Sequence, residues 1–451
     1  MLKLLRTYRQ SVGLSMILLL FSWQIGQPLQ AATFYWDQDG TALGNVTTGS
    51  GLGGAGTWDI TSSNWWDGVT TDAAWPNAAD TAIFTGTAGT VTLGVPITAG
   101  GLTFNSGGYT LAGGGNTLTL TAPSGVASPL LAVNNNGFGT NRATISASLA
   151  GTSGFTKTGN GTLVLSGSNA GLSGDVAVKG GNLVVTSQSQ LGTGTTAVSI
   201  TGIAGTGNPG FSGGTLVLDG SSTAINFTRE LSVAGRGPGA ANASGGVVSI
   251  GYNTLAGNLT LGNAATEGRA VATHGITTLS GNLNLGSGAA NILFGNGNWI
   301  VSGRVLGNDN NTDRFIKSGT TIGSTLWLQN SNNSFAQTMR IDSGTVRVSA
   351  PSALGFSSVT TGAVGSVDLN GAGTTQGLEV RTDTTNWGTI GIRVRGNSNG
   401  ITVDHSIGNY TTNPINQTIT FGNVSFDPNS TLQINGRNGF SSIYSGPSGT
   451  V

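Results

Sequence analysis

Trp-Asp recurs three times near the start of this sequence, at Trp36-Asp37, Trp58-Asp59 and Trp66-Asp67, with Trp65 and Trp75 close by. Indole faces stack on apolar ligand surfaces, and a carboxylate beside them accepts hydrogen bonds from hydroxyls. Trp36, Trp58, Trp65 and Trp66 are therefore candidate glycan contacts. The same residues also fit a plainer role, since bulky aromatics close the end of a sheet against further strand pairing. Closure is the preferred reading, because an open sheet end needs it whatever the protein binds.

Other chemistry-bearing groups are sparse. The densest polar group runs from Asp309 to Arg314 with Lys317 close by, and Asp313, Arg314 and Lys317 suggest the base-plus-cation arrangement of a polysaccharide lyase. A polar loop explains them better. Asp309-x-Asn311-x-Asp313 imitates the start of a calcium loop, but Arg314 and Thr320 stand where such a loop needs glycine and glutamate. Asp37-x-Asp39-Gly40 reads as an Asx-Gly turn. His274 and His405 are 131 residues apart, and each is expected on an outward strand or loop position. No phosphate loop, dinucleotide fingerprint or nucleophile elbow stands in a strand–helix context. The reading is no enzyme, no cofactor and no metal; a carbohydrate-active enzyme or a glycan-binding protein is the alternative.

Composition narrows the class. Cysteine is absent, which excludes disulfide scaffolds and thiolate metal sites. Seventy-seven glycines and only 8% charged residues accompany 37% hydrophobic residues. Disordered low-complexity chains lack that apolar share, so a folded chain rich in turns is expected.

The elements that must carry these residues are short and alternating. Thr162–Leu165, Thr215–Leu218, Asn258–Leu261, Asn282–Leu285 and Thr345–Val348 each place apolar side chains at i and i+2, with Thr, Asn or Arg between in the last three. That period belongs to strands with one buried face. Gly257-Asn-Leu-Thr-Leu-Gly262 recurs as Gly281-Asn-Leu-Asn-Leu-Gly286, a 24-residue step suited to one solenoid turn. Some 15 stacked turns, about 70 Å of rod at the usual strand spacing, are predicted.

A longer repeat runs from Phe155-x-Lys157-x-Gly159 through Leu163, Ser168-Asn169, Val176, Gly181 and Leu183 to Leu191-Gly192. It returns as Phe315-x-Lys317-x-Gly319 through Leu326, Ser331-Asn332, Met339, Gly344 and Val346 to Leu354-Gly355, aligned at an offset of 163 after one insertion. This pattern resembles the autotransporter-associated β-strand repeat. The resemblance implies a right-handed parallel β-helix displayed outside the cell, with no catalytic residues. Residues 400–451 show no series of amphipathic strands of the kind that build an outer-membrane barrel.

Residues 1–32 read as a secretory signal: Lys3, Arg6 and Arg9, an apolar run from Ser11 to Ile25, then Ala31-Ala32. Its removal leaves 15 basic residues against 18 acidic ones, too weak a charge to hold nucleic acid. No later segment is expected to span a membrane. The expected organisation is a signal over 1–32, a Trp-rich cap over 33–86 and a β-solenoid over 87–451. An exported structural or adhesive protein follows, outside the cell or on the outer-membrane surface of a Gram-negative-type bacterium, its partners surface glycans or host and neighbouring cells.

Overall fold

The computed structural model describes residues 31–134, 141–201, 213–235, 237, 245–262, 268–286, 290–307, 314–319, 323–355, 366–370, 377–383, 386–387, 390–396, 399–406, 418–438 and 440. The expected signal falls almost wholly outside them, as do Asp309, Asn311, Asp313 and Thr320 of the polar loop.

The described chain is all-β, apart from two single-turn 3₁₀ segments at Gln188–Leu191 and Pro351–Leu354. Its strands stack in parallel into long sheets, 13, 15 and 9 strands deep among the described residues. Almost every strand pairs with strands one turn before and after it in the sequence. This is the β-solenoid that the alternation predicted. The 24-residue step is one of its turns: Leu259 pairs with Leu283 and Leu261 with Leu285.

As far as Val305–Gly307 the turns contribute in order to the first, second and third faces; beyond it the described strands of the long sheets alternate between the second and the third. A typical turn runs Leu259–Leu261, Gly268–His274, Ile276–Leu279. The third face changes partway along. A 4-stranded sheet ends at Gly171–Leu172, and the 9-stranded sheet begins at Asn226–Phe227. Between them the Gln188–Leu191 turn fills the third face, with Leu191 fully buried.

Inward side chains form unbroken columns. On the first face one column runs Ala82, Leu102, Leu131, Lys157, Val178, Ile200, Val233, Leu261 and Leu285. On the second, another runs Leu163, Leu183, Leu216, Val247, Ala270, Leu293, Lys317, Ile341, Leu369 and Val394. Each fully buried leucine or valine contributes about 1.5–3 kcal/mol against exposure. No single turn can bury its own apolar row, so stacking is what makes the core.

A lysine interrupts each column. Lys157 and Lys317 are both fully buried. The Lys157 ammonium donates to the carbonyls of Thr158, Gly159 and Gly180 at 2.6, 3.1 and 2.9 Å. That of Lys317 donates to the Ser318 carbonyl and the Ser324 hydroxyl at 3.0 and 2.8 Å. Lys157 ties the corner after its own strand to the next turn through Gly180, whereas Lys317 ties the two ends of its own corner, Ser318 and Ser324, together.

The two repeat copies share this clamp but sit one face apart. Phe155–Thr158 lies on the first face, whereas Arg314–Lys317 lies on the second. A second clamp corrects the alignment in the loop. Asn169 accepts from the Leu149 N–H and donates to the Gln190 carbonyl. Asn333 repeats this with Val305 N–H and the Ala353 carbonyl, so it is the structural equivalent of Asn169. Asn332 is exposed in the turn.

At the N-terminal end of the stack the strand direction changes. Thr33–Trp36 pairs in parallel with Thr81–Phe84 but antiparallel with Trp65–Trp66, which pairs antiparallel with Asp72–Ala73. An aromatic cluster lies beneath this edge. Trp65 sits among Trp36, Trp58 and Trp75, with ring centroids 5.3, 4.8 and 4.7 Å away. Phe84, Phe104 and Tyr109 continue the cluster into the first turns of the solenoid.

Candidate functional site

The tryptophans named as candidate glycan contacts are interior residues. Trp36, Trp58 and Trp65 are 0% exposed and Trp66 is 3% exposed. Trp36, Trp58 and Trp65 cover one another's rings, while Trp66 packs on Tyr35 at 5.5 Å. Trp36 spends its indole N–H on the Gly54 carbonyl at 2.9 Å. Here the four act as packing. Of their acidic neighbours, Asp59 and Asp67 accept backbone N–H bonds from the turns that follow them, Thr61 and Ser62 in one case, Val69, Thr70 and Thr71 in the other. In Asp67 those bonds hold the carboxyl below its ordinary range. Alternation could not have placed these rings, because their burial depends on antiparallel strands meeting across the stack.

The two histidines divide. His274 is exposed at the end of Gly268–His274, as expected. His405 departs from expectation: it is 2% exposed, packed on Phe440, with Nδ1 3.2 Å from Asp383 Oδ1. Ser406 donates its hydroxyl to the same aspartate. The serine thus bonds the carboxylate rather than the imidazole, which is not the contact a serine nucleophile needs. Lys317, a member of the lyase-like set, is spent on the corner clamp.

The outward surface that looks most like a contact site lies on the third face near the C-terminal end of the described stack. Its outward columns there are charged. Trp327, Arg347, Glu379, Thr402 and Asn435 stand in register on successive turns. Arg347 lies over the Trp327 ring at 5.5 Å and bonds Glu379 at 2.9 Å. Arg381 bonds Glu379 at 2.7 Å and Asp404 at 2.6 Å. These contacts hold the guanidinium planes in fixed orientations, as bidentate and stacked arginines do.

The adjacent column makes a notch. It runs Thr345, Gly377, Gly400 and Gln433, so two successive turns present no side chain. A Cβ on Gly377 would come 2.0 Å from the Gly400 carbonyl, and its φ of +145° also disfavours other residues. The resulting cavity, about 220 Å³, is lined by Arg347, Glu379, Arg381, Thr402, Asn435 and Arg437. Sites that enclose a free small molecule occupy about 300–1,000 Å³. This notch instead suits a group projecting from a larger surface. Glu379 and Asp404 are both held by Arg381, so neither is poised across a scissile bond as a hydrolase carboxylate would be. Alternation alone makes Arg347 an outward strand residue. What was illegible is that its neighbours across turns are Trp327 and Glu379.

Comparison with known proteins agrees with the repeat pattern. Over 243 residues, 52% of this chain, the sequence is 37% identical to the Adhesin BmaC autotransporter of Brucella suis biovar 1 (strain 1330). The chain spans 6% of that relative's length. No family model matches, and no solved structure does. Over that stretch the sequence is passenger-like in its similarity to an autotransporter adhesin, and the fold is a β-solenoid. No helix among the described residues is long and apolar enough to cross a membrane.

Proposed function

We propose that this chain works as part of an exported adhesive surface protein, non-enzymatic, whose solenoid is a rigid rod carrying contact surfaces along its outer faces. The observation that carries this reading is the 37% identity with an autotransporter adhesin over half of the chain. The fold supports it. A stack held by strand-to-strand hydrogen bonds along its whole length keeps its shape under load, and its outward columns offer repeated polar groups at a spacing of about 4.8 Å. On this reading the protein lies outside the cell or on the outer-membrane surface of a Gram-negative-type bacterium, and residues 1–32 direct its export.

The notch between Thr345 and Arg437 is the proposed contact, and hydroxyl-rich surface glycans on host or neighbouring cells are its proposed partners. Fixed arginines and carboxylates bond hydroxyls in defined directions, and the edge of Trp327 supplies an apolar neighbour. Cells displaying the protein should adhere to glycan-coated surfaces more than cells lacking it. Arg347→Ala together with Arg381→Ala should remove the difference while the protein stays folded and displayed. Equal adhesion with and without the protein would refute the adhesive reading. Adhesion that survives the double substitution would move the contact elsewhere on the rod.

A further inference from the structure

Between Thr33 and Asn141 the sequence holds six aspartates and not one lysine or arginine. In four of the six no carboxylate oxygen is buried without a hydrogen-bond partner. Asp59 and Asp67 accept the turn N–H groups described above, Asp39 accepts from Thr41 N–H at 2.9 Å, and Asp80 from Ala32 N–H at 2.7 Å. Asp37 and Asp72 are different.

Asp37 follows the strand Thr33–Trp36 and is 1% exposed. Its Oδ2 accepts from the Asn45 amide at 2.6 Å, while its Oδ1 is buried with no hydrogen-bond partner. Asp72 opens the edge strand Asp72–Ala73, lies within hydrogen-bonding contact of Asp37 and accepts the Ala42 N–H. Its Oδ1 is likewise buried and unpartnered, and so is Asn45 Oδ1. Two carboxylates 35 residues apart in the sequence are thus in contact, each with one buried oxygen that no donor meets, and Asn45 is bonded to one of them. Two carboxylates in contact repel, and the negative Asp39 stands near both. Burial and this repulsion push Asp72 up to about 6. Carboxylates taken out of water without a counter-charge are destabilising, and this part of the chain has no basic side chain to offer.

We propose that Asp37, Asn45 and Asp72 bind a divalent cation of the calcium class, which fastens the loop after the first strand to the antiparallel edge of the stack. All the available donors are hard oxygens, as calcium prefers, and its loose geometry accepts two carboxylates and one amide with carbonyls and water completing the shell. No three His, Cys, Asp or Glu side chains converge among the described residues, so the site relies on that mixed set. Asp37-x-Asp39 alone reads as a turn; the partner that makes a site is Asp72, 35 residues further on. With so few protein ligands the affinity belongs with extracellular modules, Kd about 10⁻⁴–10⁻³ M.

The test uses the purified protein with calcium chloride and with terbium as a luminescent calcium mimic, excited through the neighbouring Trp36 and Trp66. Terbium emission should appear, calcium should quench it competitively, and Tm should be higher in millimolar calcium than in EDTA. Asp72→Asn should weaken binding at least tenfold and erase the calcium effect on Tm; Asp67→Asn, on an exposed turn nearby, should leave both unchanged. If Asp72→Asn fails to fold, Asn45→Ala carries the same expectation. No terbium emission, together with equal Tm in calcium and EDTA at neutral pH, would overturn the proposal and leave the pair sharing a proton. Emission equally strong in Asp72→Asn and Asn45→Ala would overturn it too, by placing the cation elsewhere.

Discussion

The two repeat copies, 155–192 and 315–355, build the same local structure on different faces of one rod. Both start with a buried phenylalanine and a buried lysine, cross to the next face, clamp a loop with a buried asparagine and end in a 3₁₀ turn. Yet Lys157 interrupts a column on the first face and Lys317 one on the second. Their chemistry differs as well: Lys317 donates to a hydroxyl, that of Ser324, whereas Lys157 reaches the Gly180 carbonyl of the next turn. The repeat therefore encodes a corner and its clamps rather than a position around the rod. Any face can host it, because all three present the same inward row of aliphatic side chains to the turn above.

If the copies are equivalent cells, their cores should fail alike. Phe155→Ala and Phe315→Ala each empty a fully buried position and should each cost about 3–5 kcal/mol of unfolding free energy in denaturant titrations. A large loss in one copy with little in the other would break the equivalence.

The asparagine clamps give a sharper comparison at a smaller scale. Asn169→Ala and Asn333→Ala each orphan a buried N–H and a carbonyl, for an expected loss of about 1–3 kcal/mol. Asn332→Ala, exposed in the turn, should stay within about 0.5 kcal/mol. The reverse order would restore the alignment that pairs Asn332 with Asn169.

The lysines should differ most finely, through pH. Burial lowers the Lys157 ammonium to about 7 and that of Lys317 to about 8. Unfolded lysine titrates near 10.4, so across the window between the two values the unfolded chain binds more protons. Stability should therefore rise with pH, from about 7 upward for Lys157 and from about 8 upward for Lys317, by at most about 1.4 kcal/mol per pH unit for each. Lys157→Met should remove the part of the rise that begins near pH 7, and Lys317→Met the part that begins a unit later. Denaturant midpoints measured from pH 7 to 10 would read both. Identical slopes in the two variants and the parent would mean that both amines stay charged inside the rod.

Much of this was legible beforehand. Alternation in Thr162–Leu165 and Leu283–Leu285 marked strands with one buried face, and the 24-residue step marked a turn of the stack. The same alternation that turns Phe155 inward also turns Lys157 inward, although polarity suggests otherwise. Asn332 and Asn333 are adjacent and chemically identical, so only the hydrogen bonds from Val305 and to Ala353 distinguish them. For the tryptophans, composition offered a glycan platform and an end cap as alternatives; their burial against one another leaves no exposed platform.

By itself the sequence determined that this protein is a stack of short strands with glycine-rich corners, since period-2 alternation and turn residues act over a few neighbouring positions. Only the tertiary structure decided which face each strand joins, because that depends on loop lengths summed around every turn. It likewise decided that Trp327 meets Arg347, that two glycines align into a notch and that Asp37 meets Asp72. Contacts between turns join residues some 20–35 apart in the chain, as in Leu163 with Leu183 and Asp37 with Asp72, and no local pattern records them.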